Sequence, residues 1–207
     1  ARLDLNRRWS VPRALLLALD RWVAEGVAPP PSAYPRFQDG TLVAVADVRF
    51  PPLPGLPSPA GLRAGVRRAN PFWPEGAGAG APLPLFVPAL DADGNERGGV
   101  LLPEAAAPLA TATGFAFAAP LESGHRNLVP LRGAWVPFAT TEAVRRQRGD
   151  VRPSLQERCG SRDRYLALVR DHAQRSVRAG YLLAQDVDEI VRRAGVKWDW
   201  IHARPAP

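Results

Sequence analysis

Three residue types in this chain could begin covalent or acid–base chemistry: seven serines, three histidines and a single cysteine. A serine nucleophile on a strained strand-to-helix turn needs small residues on both sides, in the pattern G-x-S-x-G. None of Ser10, Ser32, Ser58, Ser123, Ser154, Ser161 and Ser176 has that glycine pair. The histidines do not fall at H-E-x-x-H or any other spacing that would hold zinc. His172 lies on the apolar face of a predicted helix, which suits a buried structural histidine, and His202 falls in an exposed tail. His125, in the loop Glu122-Ser123-Gly124-His125-Arg126, is the one catalytic candidate, because a glycine-flanked histidine beside a carboxylate can act as a general base. Cys159 is alone, so it forms no intrachain disulfide and no cysteine cluster, and Gly160 after it marks a helix end.

The acidic turn Asp91-Ala92-Asp93-Gly94-Asn95-Glu96 has the composition of a calcium loop but not its spacing. Its glycine is fourth rather than sixth, and Leu102 stands where a bidentate Glu belongs. No G-x-x-x-x-G-K-[ST] phosphate loop and no G-x-G-x-x-G after a strand is present. No cofactor and no metal are expected.

The elements that would position these residues fall into three parts: a terminal helix in 1–26, a proline-rich region of loops and short strands in 27–139, and a helical region in 140–207. Ser10 is a candidate N-cap, Pro12 fits the first turn, and Gly26 supplies the stop. Leu15, Leu16, Leu19, Trp22 and Val23 recur at helical spacing, so this helix must pack its apolar side against something. The chain has 23 prolines, about twice the average usage, many of them between 27 and 88, where they forbid helix interiors. One strand is predicted at 41–48, after the Asp39-Gly40 turn, and 76–80 reads as a loop tip. Apolar runs at 83–89 and 100–102 flank the acidic turn and predict a hairpin.

Further on, Thr141 caps a helix that Gly149 ends, Ser154 and Glu157 form a capping box, and Ser161 caps a longer helix stopped by Gly180. Residues 185–194 give a final helix with Val187, Ile190, Val191 and Ala194 as its stripe, and Trp198 and Trp200 follow in a frayed or docked tail.

Composition bounds the partners. The net charge is +7, and Lys197 is the only lysine, a bias typical of G+C-rich coding. Arg145, Arg146, Arg148, Arg152, Arg158, Arg162 and Arg164 alternate with Glu142, Asp150, Glu157 and Asp163, which reads as a solvated helical surface rather than a nucleic-acid face. No run approaches the roughly 20 apolar residues of a membrane span, so neither nucleic acid nor a membrane span is expected, and the compartment stays open. The chain starts at Ala1 and contains no methionine, which suggests the downstream part of a longer polypeptide.

As an ordered series, the motifs are more specific than any one of them. They run from Ala18-Leu19-Asp20-Arg21-Trp22-Val23 through Pro29-Pro30-Pro31-Ser32, Asp39-Gly40-Thr41-Leu42-Val43, Val87-Pro88, the acidic turn and Leu102-Pro103-Glu104. They continue with Pro108-Leu109, Thr113-Gly114, Pro137-Phe138-Ala139-Thr140-Thr141 and Gly149-Asp150 to Arg152-Pro153-Ser154-Leu155-Gln156-Glu157-Arg158. Over roughly residues 14–194 the chain resembles the C-terminal half of a bacterial family labelled alpha/beta hydrolase domain-containing protein. The resemblance implies an α/β fold of which this is the C-terminal portion, α+β in appearance when alone. It also implies a serine nucleophile, an acid and a histidine that all lie upstream, so no catalytic residue carries over. At Cys159 the family more often has an aromatic. The implied partners are an upstream hydrolase domain of the same polypeptide and a small ester substrate. The alternative from the residues alone is a proline-rich binding module for a protein or polysaccharide.

Overall fold

The computed structural model describes residues 10–58, 84–118, 127–129 and 132–203. The Gly-Ala alternation at 76–80, Ser123 and the candidate His125 lie outside the described residues. The described chain mixes helices with two small antiparallel sheets.

The helical core is the part the sequence dictates most directly. Helix α5, Arg162–Arg178, and helix α6, Val187–His202, run antiparallel, with ion pairs Arg162–Asp199 at 2.8 Å and Arg170–Asp188 at 2.8 Å at the two ends of the contact. In the core cluster Val169, Ala173 and Ala194 have no exposure, so the two helices approach closely through small side chains. Trp198 stacks on Tyr165, with ring centroids 5.2 Å apart. The expected tail is therefore helix: α6 continues through Trp198 and Trp200, because Trp198 and Ile201 extend its apolar stripe into the core. Three of the caps read from the sequence form, while Ser10 is the first residue of α1 itself. Thr141 accepts from Val144 N at the start of α3, Glu142–Gln147, and Ser161 caps α5 through Arg164 N. Ser154 and Glu157 close a full capping box on α4, Leu155–Cys159. Gly180, with φ of 82°, lets the chain turn after α5 where a side chain would also strike Pro30, 3.2 Å from a built Cβ.

The sheet region corrects two expectations. Strand β1 spans only Leu42–Ala44, and a 3-10 turn at Val45–Asp47 ends it. Its partner is β2, Phe86–Pro88, in the register Leu42↔Pro88, Val43↔Val87 and Ala44↔Phe86. The predicted pairing of 83–89 with 100–102 does not form. The acidic turn is closed by a single bridge, Leu90↔Glu96, and the chain then leads through Leu102 into the short helix α2, Pro103–Ala106. Strand β3, Ala110–Ala112, pairs with β4, Trp135–Pro137, and Leu109 and Phe138 at its ends enter the helical core.

Helix α1, Ser10–Glu25, is the exception to core packing. Ala14 is buried, Val11 packs against the core, and Arg13 pairs with Asp186. The apolar stripe expected to pack stands outward instead, with Leu16 at 66%, Trp22 at 53% and Val23 at 80% exposure, and Leu15 and Leu19 also exposed. At 100° per residue these five side chains occupy an arc of about 120° on the side away from Ala14. Among the described residues no helix is long and apolar enough to cross a membrane.

Core packing sets a stability expectation. Val169→Ala, at a site with no exposure, should lower the urea unfolding free energy by about 2 kcal/mol, whereas Val23→Ala in the outward stripe of α1 should change it by less than about 0.5 kcal/mol.

Candidate functional site

Two arrangements in the described chain could serve function: a buried polar network and an open apolar chamber beside it.

The network centres on Arg152, whose side chain has no exposure. Its Nε donates to Asp150 Oδ1 at 2.9 Å and its Nη2 to Oδ2 at 2.6 Å, a bidentate pair. The remaining donors reach Thr111 Oγ1 at 2.7 Å and the carbonyls of Val136 at 3.0 Å and Pro137 at 3.4 Å. Thr111 in turn donates to the carbonyl of Asp93, and the Asp93 carboxylate pairs with Arg158. Both guanidinium groups lie over the Phe138 ring, Arg158 at 4.0 Å and Arg152 at 4.9 Å. Arg152 and Arg158 are therefore not part of a solvated surface, as their spacing among acidic residues suggested. The local cause is the sequence Gly149-Asp150-Val151-Arg152-Pro153: Gly149 turns at φ 61°, and Asp150 Oδ1 accepts the Arg152 backbone N–H at 3.0 Å, which folds the two side chains together. Burial pulls the Asp150 carboxyl upward, but the side-chain and backbone hydrogen bonds from Arg152, with the charges of Arg152 and Arg148, outweigh it and hold the group below its ordinary value.

The acidic turn is absorbed into this network. Asp91 Oδ1 accepts from the backbone of Asp93 and Asn95, both at 2.9 Å, and Asp93 is bound by Arg158. Asn95 lies along β3, donating to Ala110 O at 3.3 Å and accepting from Ala112 N at 2.9 Å. Its polar side chains fasten the turn to β3 and α4. Among the described residues no group of three or more His, Cys, Asp or Glu side chains could hold a metal ion.

The nucleophile and base candidates are not brought together. Ser154 and Ser161 are spent as caps. Ser176 and His172 are neighbours on α5, but the hydroxyl donates to the His172 carbonyl at 3.1 Å and not to the ring. The His172 ring contacts the Arg175 guanidinium, 2.8 Å from Nδ1. It is half-buried rather than buried as expected, because its helix position borders the core instead of facing it. Burial, and then the Arg175 charge, hold its pKa below the ordinary 6.5 against the opposing charge of Asp171. His202 is exposed and stacks on Trp198 with centroids 4.5 Å apart. Cys159 is buried at the end of α4, and burial pushes its thiol above the ordinary value, which removes the thiolate that reactivity needs. Glu157 is the most shifted carboxyl, held down to about 2 by the Ser154 hydroxyl and backbone N–H and then by Arg145.

The chamber lies between the two sheets, an open pocket of about 420 Å³ lined by Phe50, Leu85, Val87, Leu90, Phe115, Ala112, Thr113, the glycines 94 and 114, and Glu96. Phe50 and Phe115 meet with centroids 5.6 Å apart. No motif announces it, because its walls come from segments about 65 residues apart that share no pattern. A regular spacing would have had to link Phe50 to Phe115, and pairing of β1 with β2 is not a local property.

Residues 6–192 match the family described as alpha/beta hydrolase domain, and the chain belongs to that family. No curated protein and no solved structure matches it. The resemblance carried by the ordered motifs thus holds at the level of the family, and a hydrolase-like function follows from it.

One titration and one labelling outcome are expected. By NMR, His172 should keep a neutral ring at pH values below 6.5. Its folded value is lowered, so the stability it contributes is present above the ordinary value and is lost as pH falls below it. Cys159 should react with a disulfide reagent only under denaturing conditions; rapid labelling of the folded chain would contradict its burial.

Proposed function

We propose that this chain is the C-terminal portion of a serine ester hydrolase whose nucleophile, acid and histidine lie upstream in the same polypeptide. In the intact protein a serine would attack the acyl carbonyl, activated by histidine and a carboxylate, with backbone amides holding the oxyanion. The portion described here contributes packing and walls of the substrate pocket, and is inactive alone.

The observation that supports this reading is the outward stripe of α1. Leu15, Leu16, Leu19, Trp22 and Val23 form one continuous apolar face, and nothing in the described chain covers it. Fully burying a Leu or Val side chain contributes about 1.5–3 kcal/mol, so a helix patterned in this way has a partner elsewhere. A catalytic core preceding α1 in the same polypeptide would supply it. Family membership and the absence of G-x-S-x-G from the sequence point in the same direction.

The same exposed face would suit the second reading, a proline-rich binding module whose stripe receives a protein or polysaccharide.

The test is the coding DNA before Ala1 and the enzyme it specifies. The frame should continue upstream through G-x-S-x-G, and the longer protein should hydrolyse p-nitrophenyl esters and lose that activity when the upstream serine becomes alanine. The 207-residue chain alone should show no turnover above buffer. Robust turnover by the 207-residue chain, abolished by His125→Ala, would overturn the proposal in favour of a site within this chain.

A further inference from the structure

The chamber between the two sheets has features that its place in a hydrolase-family chain does not explain. Five of its lining residues are Phe50, Leu85, Val87, Leu90 and Phe115, and the two rings pack on each other at 57° with centroids 5.6 Å apart, which makes one continuous aromatic wall. Its floor is fixed. Asn95 clamps the acidic turn to β3, and the Thr113 hydroxyl donates to Phe115 O at 2.5 Å while accepting from Ala134 N at 3.1 Å. The Asn95 and Thr113 side chains are therefore engaged within the protein.

Among the described residues Glu96 is the only charged one on the lining, and it is exposed. Phe50 and Leu90 also line an adjoining pocket of about 380 Å³, which carries Arg49 and Asp91. Asp91 is occupied by backbone N–H groups, and Arg49 donates to Ala46 O at 3.1 Å. The adjoining pocket thus carries Arg49 with Asp91 beyond the Phe50–Leu90 wall, whereas the chamber itself carries Glu96. Gly114 leaves open space on the lining: a Cβ built there meets nothing within 4 Å, and its backbone lies outside the left-handed region.

We infer that this chamber is a binding subsite for an uncharged aromatic or branched-alkyl group, with Glu96 excluding carboxylates. The chamber's volume is within the range of small-molecule sites. On the reading of the chain as part of an ester hydrolase, the guest is the apolar portion of the ester and not the free carboxylic acid product. That identification of the guest rests on the proposed function, but the binding itself does not.

The test uses the 207-residue chain and two probes of similar shape, neutral 2-naphthol and anionic 2-naphthoate, with binding followed by calorimetry at pH 7. The neutral probe should bind at least about fivefold more tightly, as expected for a like charge near an exposed carboxylate. Glu96→Gln should remove most of that difference. Gly114→Leu should abolish binding of 2-naphthol while far-UV circular dichroism and the urea midpoint stay unchanged. The double variant Leu16→Gln/Val23→Gln, which makes the α1 stripe polar, should bind as the parent does. Binding that survives Gly114→Leu would place the probe outside the chamber, and binding that is lost in the α1 double variant would place it on the exposed helix; either would overturn the inference. Equal affinity for the two probes in the parent would overturn the role of Glu96. None of these readouts depends on ester turnover, so a failure here is distinct from a failure of the hydrolase reading.

Discussion

The bidentate pair between Arg152 and Asp150 is the interaction on which the architecture depends. A guanidinium with no exposure is tolerated only if its charge and its donors are all met. Here a carboxylate two residues away meets the charge, and Thr111 with two strand carbonyls meets the rest. The consequence is long-range order. Through Thr111 the pair holds β3, through Val136 and Pro137 it holds β4, and through Asp93 and Arg158 the acidic turn is bound to α4. Leu109, Phe138 and Trp135 then dock the second sheet on the helical core.

That fastening explains why a chain so rich in proline keeps a defined shape where it is described. Its strands are three residues long and supply few backbone bonds. Side-chain polar contacts substitute for ladder length, as Asn95 does along β3 and as Tyr181 does by donating to Pro31 O beside Gly180. The apolar chamber is the space left where β1 and β2 meet the turn and β3 without a helix between them.

What could be read from the sequence was what is local. Thr141, Ser154 with Glu157, Ser161 and Gly180 bound their helices because a cap satisfies backbone groups within three or four residues. The pairing of β1 with β2 was not legible, since it joins segments more than 40 residues apart and the nearer run at 100–102 had equal apolar character. Arg152 was hidden for a different reason: arginine among acidic residues is the ordinary pattern of a wet surface, and only the Gly149-Asp150 turn distinguishes it. The apolar stripe of α1 was legible as a pattern that must pack against something, but not what it packs against, and the described structure leaves it outward. His125 lies outside the described residues, so its candidacy rests on the sequence.

The central claim is that the face of α1 belongs against another part of the same polypeptide. Hydrogen–deuterium exchange of the amides in α1 tests it most directly, compared between the 207-residue chain and the longer protein that contains it. The account predicts that residues 15–25 exchange far more slowly in the longer protein, while α5 and α6 exchange alike in both. Equal exchange of α1 in the two forms would contradict it, because a face that gains no protection has no partner there.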